Sequence, residues 1–290
     1  MVPAGITLLL NALISVTILL IAAPALAQQE RWITVKVNDR DSLINQISRD
    51  SGLSDYGSML FGQADQSSIA ELRAQGHRVE ISDNPFLLTL GGETFDPLNR
   101  TTVQMDRSVN PDGDFHLIQF NGPIRPEWLE RLREQQIEVV QPLHPFSYIV
   151  WASEQQLTAA RQDRAVRWSG AMESGWKVQP QQRTFNTEPR DTMLMLSAHG
   201  DTRAAVNALR DFGQLSIVEH YGADFLLAQI DNVPGDRYME LAALPGVFTV
   251  QYIRPETAQR GEMSNQSVVG NIDGSGTVFP GYSNWLADTG

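Results

Sequence analysis

No cysteine occurs in the 290 residues. Disulfides, thiolate metal sites and a cysteine nucleophile are thereby excluded together, and cohesion has to come from packed cores. Positive charge is scarce as well: 22 Lys and Arg stand against 34 Asp and Glu, a formal net charge of −12 that repels nucleic-acid phosphates. Histidines at metal spacing are missing, since His77, His116, His144, His199 and His220 form no His-x-x-x-His or His-Glu pair and read as strand-edge or turn residues. No cofactor and no nucleic-acid partner is expected.

What is present begins with the N-terminus. Ile6 to Ala23 is apolar apart from Asn11, Ser15 and Thr17, and Pro24-Ala25-Leu26-Ala27 follows as an A-x-A cleavage site. No Lys or Arg precedes the run, which leaves an uncleaved anchor as the alternative, but the small residues and Gln28-Gln29 favour cleavage after Ala27. The expectation is an exported chain, secreted, periplasmic or at the cell surface, with no membrane contact once residues 1–27 are removed.

The 263 residues after Ala27 contain a repeat. From His116 the pattern reads strand (116–120), helix (126–135), strand (137–141), strand (146–151), helix (154–163), strand (165–168). Pro126 suits a first helical turn, Trp128, Leu129 and Leu132 make one stripe, and Ser153-Glu154-Gln155-Gln156 has capping-box spacing. The same order returns as strand 193–197, helix 202–212, strands 215–220 and 225–230, helix 237–244 and strand 247–252, with Asp201 as N-cap and Gly213 as stop. Leu132/Leu209, Val139/Ile217 and Ile149/Leu227 are offset by 77, 78 and 78 residues, which argues for duplication.

Helical crossovers around a short middle loop predict an α+β fold of tandem ferredoxin-like βαββαβ plaits with antiparallel sheets. They span residues 116–172 and 191–256. Residues 173–190, rich in Gly, Gln, Pro and Arg, read as a linker. Residues 28–115 read as a less regular α/β segment: 33–37 and 77–81 alternate like strands, Leu43, Ile44, Ile47 and 67–75 look helical, and a third, degenerate plait is compatible with both. Residues 91–114, full of Gly, Pro, Asn and Asp, wrap a surface or stay mobile.

Leu241-Ala242-Ala243-Leu244-Pro245-Gly246-Val247-Phe248-Thr249-Val250-Gln251-Tyr252 resembles the closing helix and strand of the subtilisin-propeptide inhibitor family. Gly122-Pro123, Trp128, Leu132, Pro142-Leu143, Tyr148-Ile149-Val150, Val166-Arg167-Trp168-Ser169-Gly170 and Leu90-Gly91-Gly92-Glu93-Thr94-Phe95 resemble the long pro-regions of bacterial secreted subtilisin-like peptidases. The resemblance covers roughly residues 89–286 and is a pattern of spaced apolar residues. It implies a module that packs its sheet on a protease, assists folding of the catalytic domain and blocks the active site until removed.

The residues agree in one respect. Helices cover one face of a four-stranded plait, so the other should alternate to polar where it meets water. Thr192 to Leu196 and Phe225 to Ala228 are instead apolar at both parities, and counting from Val247 sets Phe248, Val250 and Tyr252 apart from it. Met193, Met195, Phe225, Leu227, Phe248, Val250 and Tyr252 are therefore the candidate partner interface. Mutual coverage of the two sheets, or coverage by the upstream segment, is the competing explanation.

Chemistry is weakly represented. The closing Asp288-Thr289-Gly290 matches the aspartate motif of subtilisin-like enzymes, but that aspartate should end an apolar strand, and 282–287 reads as a short helix with no histidine or Gly-x-Ser-x-Gly elbow beyond it. Asn271-Ile272-Asp273-Gly274-Ser275-Gly276 lacks the closing Glu of a calcium loop. Glu127/Glu130 and Glu134/Glu138, near Arg131 and Arg133, read as a solvated face. Asn99 and Asn265 head glycosylation sequons that matter only in a eukaryotic secretory route. No catalytic residue is assigned. The reading is a non-catalytic leader of a subtilisin-like serine protease precursor, acting on a catalytic domain in cis or in trans, with residues 257–290 leading toward that domain. The alternatives are a stand-alone exported interaction or protease-inhibitor module, and accessory domains of a secreted hydrolase.

Overall fold

A computed structural model describes residues 30–36, 52–100, 112–183 and 188–253. The cleavage call at Ala27, the helix expected around Leu43 to Ile47, the motif at Asp288, the turn at Asn271 to Gly276 and the sequon at Asn265 lie outside them. The chain divides after Asp83 into two units, each of which has its own sheet or sheets.

The first unit has strands β1 (Arg31–Lys36), β2 (Leu53–Asp55), β3 (Met59–Ala64) and β4 (Arg78–Ser82) with helix α1 (Gln66–Ala74). All neighbours are antiparallel in the order β2-β3-β1-β4. Ile33 and Val35 alternate inward from β1 onto Leu60, Ile69, Leu72 and Val79. Asp65 starts α1 by accepting from Ser68 N at 2.8 Å.

The second unit opens with a hairpin of β5 (Leu88–Leu90) and β6 (Glu93–Phe95), turned by Gly91 and Gly92 at φ +56° and +82°. Two sheets follow. The first contains β7 (Asp114–Phe120), α2 (Pro126–Glu134), β8 (Glu138–Leu143), β9 (Ser147–Ala152), α3 (Glu154–Ala160) and β10 (Val166–Ala171), in the order β10-β7-β9-β8. The second contains β11 (Arg190–Ser197), α5 (Thr202–Leu209), β12 (Gln214–Tyr221), β13 (Phe225–Val233), α6 (Tyr238–Ala243) and β14 (Val247–Tyr252), in the order β12-β13-β11-β14. Within each copy the first and third strands are central, the second and fourth are edges, and every pair is antiparallel. This is the tandem plait arrangement predicted from the repeat.

Local chemistry explains the boundaries. Pro126 sits in the first turn of α2, the Ser153/Gln156 capping box opens α3, and Asp201 accepts from Ala204 N to open α5. Under the helices of the first plait lie Ile118, Phe120, Leu132, Ile137, Val150 and Leu157. Under those of the second lie Leu194, Leu196, Leu209, Ala228, Ile230, Leu241, Val247 and Val250.

Two expectations are corrected. The stretch 173–190 is not a plain linker: α4 (Ser174–Lys177) and a tight turn at Pro180–Gln182 follow β10, and Ser174, Lys177, Val178 and Gln182 are buried. Val250 and Tyr252 also do not lie opposite Val247. A register shift opposite Met195/Leu196 lets Thr249 pair with Met195 while Val247 pairs with Leu196. One inserted residue reverses the side of everything after it, so Val250 and Tyr252 join Val247 on the helix side.

Candidate docking surface

Each plait has a second sheet face, turned away from its own helices, and the two faces differ in what covers them. In the first plait Phe115, Leu117, Ile149 and Trp151 project from β7 and β9 and are buried together with Met172. Leu90 of the hairpin, Trp176 of α4, and Phe225 and Phe248 of the second plait close over them. Phe115 stands 5.0 Å from Phe248 and 6.2 Å from Phe225, centroid to centroid. This face is filled from within the unit, which is the competing explanation raised by the sequence.

A polar anchor extends the cover. Gln119, fully buried on the same face, donates to Phe86 O at 2.9 Å and accepts from Arg167 Nη1 at 2.7 Å. Arg167 then grips Asp96 through two bonds of 2.7 and 2.8 Å, and Asn84 donates to the same carboxylate. Burial pushes the Asp96 carboxyl up, but the bonds from Arg167, Asn84 and Leu98 N outweigh it and hold the acid below its usual range. Sequence reasoning passed over this group. The only signal was an isolated Arg167 in an otherwise apolar strand.

Trp151 forms the junction between plaits. It meets Phe115 edge-on at 5.2 Å and lies 6.2 Å from His199. Glycines make the room: a Cβ on Gly113 would stand 2.8 Å from Trp151 Nε1, and one on Gly200 3.0 Å from Cζ2. The Pro245-Gly246-Val247 turn docks there too, with Gly246 N donating to Asp114 Oδ1 at 3.1 Å.

Residues 177–182 bind the outer edge of the second sheet. Val178 pairs in parallel with Val250, Thr249 Oγ1 donates to Lys177 O at 3.2 Å, and Tyr252 N donates to Gln182 Oε1 at 3.2 Å. Arg183 ties this strap back to the hairpin by donating to Gly91 O at 2.8 Å. Hairpin, strap and second plait therefore share one hydrogen-bonded frame.

The second plait's corresponding face is different. Ladder registers make Met193 and Met195 the counterparts of Phe115 and Leu117, and Leu227 and Gln229 the counterparts of Ile149 and Trp151. Met193, Met195 and Leu227 are only half-buried and, among the described residues, belong to none of the four hydrophobic cores. Register extends the patch to Ile217 opposite Gln229 and Tyr221 opposite Phe225 on β12, which are 40% and 59% exposed. The sequence-based interface thus splits three ways. Met193, Met195 and Leu227 line the uncovered face, Phe225 and Phe248 are spent on the first plait, and Val250 and Tyr252 are on the helix side, where Arg190 caps the Tyr252 ring at 4.7 Å. Ile217 and Tyr221 were missed, although their spacing of four along a strand puts them on one side.

Among the described residues no three His, Cys, Asp or Glu side chains gather at metal-ligating distance, and no helix is long and apolar enough to cross a membrane. His199 meets Asp224 at 3.3 Å beside Trp151. A family described as "Domain of unknown function (DUF8729)" matches residues 89–173, the span from the β5–β6 hairpin through β10. No curated protein matches the chain.

Proposed function

We propose that this chain is the exported, non-catalytic leader of a subtilisin-like serine protease precursor, folding assistant and active-site inhibitor of a catalytic domain supplied in cis or in trans. The supporting observation is the uncovered sheet face of the second plait, where Met193, Met195, Leu227, Ile217 and Tyr221 stand half-buried or exposed while the equivalent face of the first plait is filled. Register places Glu219 opposite Leu227 and Gln251 opposite Met193 on this face, and exposed apolar side chains set among polar ones mark a partner site. The propeptide resemblance names the partner, because the closing helix and strand that carry it, residues 241–252, belong to that same plait.

Full burial of a Met, Leu or Ile side chain contributes about 1.5–3 kcal/mol, and these start partly covered, so each adds about 1 kcal/mol on docking. The chain from Gln28 onward, mixed with a subtilisin-type protease from the same source, should inhibit peptide hydrolysis at about micromolar concentration. Met195→Glu with Leu227→Glu should raise the inhibition constant at least about 30-fold while leaving the circular dichroism spectrum unchanged. Undiminished hydrolysis with the unmodified chain would remove the protease reading, and inhibition indifferent to the double substitution would remove this face from it.

A further inference from the structure

We infer that Met193 and Met195 are a paired oxidation site through which a peroxide releases the docked catalytic domain. Conversion of the two thioethers to sulfoxides turns the centre of the uncovered face polar and lowers its affinity for the partner. Such control rests on the leader function proposed above, whose docking surface it switches off. The chain contains no cysteine, so methionine thioethers are the only sulfur atoms an oxidant can meet. Among the described residues there are five methionines, and they differ in shelter. Met172 is 5% exposed within the covered face of the first plait, and Met239 packs against the helix-side core of the second. Met59 belongs to the first unit. Met193 and Met195 are half-buried, belong to no core, and lie two residues apart on the central strand β11, hence side by side on the uncovered face. Their counterparts on the covered face of the first plait are Phe115 and Leu117, which carry no sulfur.

The neighbours let the fold absorb this change. Met193 stands opposite Gln229 on β13 and Gln251 on β14, and Met195 opposite Leu227 and Thr249. An oxygen added to Met193 therefore joins a row containing two side-chain amides, groups that donate hydrogen bonds. No core has to reopen to admit it, because neither side chain fills one. Oxidation thus alters the surface and leaves the packing beneath β11, where Leu194 and Leu196 are buried, in place.

The step is a two-electron oxygen transfer. A sulfur lone pair attacks one oxygen of hydrogen peroxide, the O–O bond breaks as the S–O bond forms, and the hydroxide that leaves takes the proton of the transferred oxygen to become water. Sulfur is oxidised, peroxide is reduced, and one peroxide is consumed for each sulfoxide. The product is polar and chiral where the thioether was apolar and flexible. Docking an apolar partner over two sulfoxides strips water from their oxygens without returning a donor, so affinity falls.

Treatment of the chain from Gln28 with hydrogen peroxide, followed by peptide mapping with mass spectrometry, reads the site. Met193 and Met195 should become sulfoxides at least about tenfold faster than Met172, with the circular dichroism spectrum unchanged. Once the peroxide has been removed, so that only the chain is oxidised, the inhibition constant against the subtilisin-type protease should rise at least about tenfold. The Met193→Leu, Met195→Leu double variant, compared with itself before and after the same treatment, should shift by less than about twofold. Oxidation of Met193 and Met195 no faster than that of Met172, unfolding on oxidation, an inhibition constant that peroxide leaves unchanged, or an equal rise in the leucine variant would overturn the proposal. Absence of inhibition before any peroxide would refute the leader function, and with it the release of a protease, whereas the mapping decides the oxidation site by itself.

Discussion

Removing the Trp151 ring tests whether the two plaits are one cooperative body. The side chain is 7% exposed, meets Phe115 and His199, and fills the space left by Gly113 and Gly200. Trp→Ala in a core costs about 3–5 kcal/mol through lost transfer energy and the cavity left behind. A value near the lower limit, about 3 kcal/mol, is expected here, because the cavity opens at a junction where the plaits can separate and admit water. Urea unfolding followed by far-UV circular dichroism provides the measurement. Wild type should lose both plaits in one transition, and Trp151→Ala should shift the midpoint down and split the curve, with reduced slopes because each step exposes less surface. Trp151→Phe should restore most of the coupling. A loss under about 1 kcal/mol with a single transition preserved would refute the role given to the junction.

Other perturbations follow from the same geometry. The Asp96 acidity is depressed in the folded chain, so its contribution is present above the unfolded value near 3.9 and is lost as pH falls through the folded value. Thermal melts should therefore weaken as pH falls below about 4, and Asp96→Asn should flatten that decline. Asp96→Ala leaves Arg167, with only 12% of its side chain exposed, without its carboxylate partner, and should cost about 3–5 kcal/mol in urea titration at neutral pH. Gly200→Ala forces a Cβ to φ +73° and to within 3.0 Å of Trp151, for a loss of at least about 1–2 kcal/mol in the same titration. Ser153→Ala removes the capping box of α3 and should lower stability by about 1 kcal/mol.

Much of the fold was legible because its signals are local. Capping residues Ser153 and Asp201, the stripe of Trp128, Leu129 and Leu132, and short turns between strands each act within a few residues. Their recurrence at a fixed offset multiplied weak signals into a topology. What stayed hidden depends on insertions and on distant partners. A single bulge near Phe248 moved Val250 and Tyr252 across the sheet, and period-two counting has no means of detecting it. The strap eluded periodicity because a four-residue helix and one tight turn are too short to display any. Apolar residues at both parities of β11 and β13 marked a second apolar face in the second plait, but not whether its cover comes from the same chain.

Comparison of the two copies explains why one face remained available. Where the second plait has Phe225, the ladder equivalent in the first is Ser147, and Phe248 is the extra residue of a bulge with no ladder partner, so the second copy reaches over the first with two rings. The hairpin and strap add to that same side, through Leu90 and Trp176. Cover is thus supplied in one direction only. On the uncovered side Gln229 stands in the place of Trp151, and Met193 and Met195 in those of Phe115 and Leu117, exchanging two rings and a leucine for an amide and two flexible thioethers. Such side chains adapt to an opposing surface without being needed to fill an internal core. Under the proposed leader function, this division makes the first plait the scaffold and the second the surface offered to the protease.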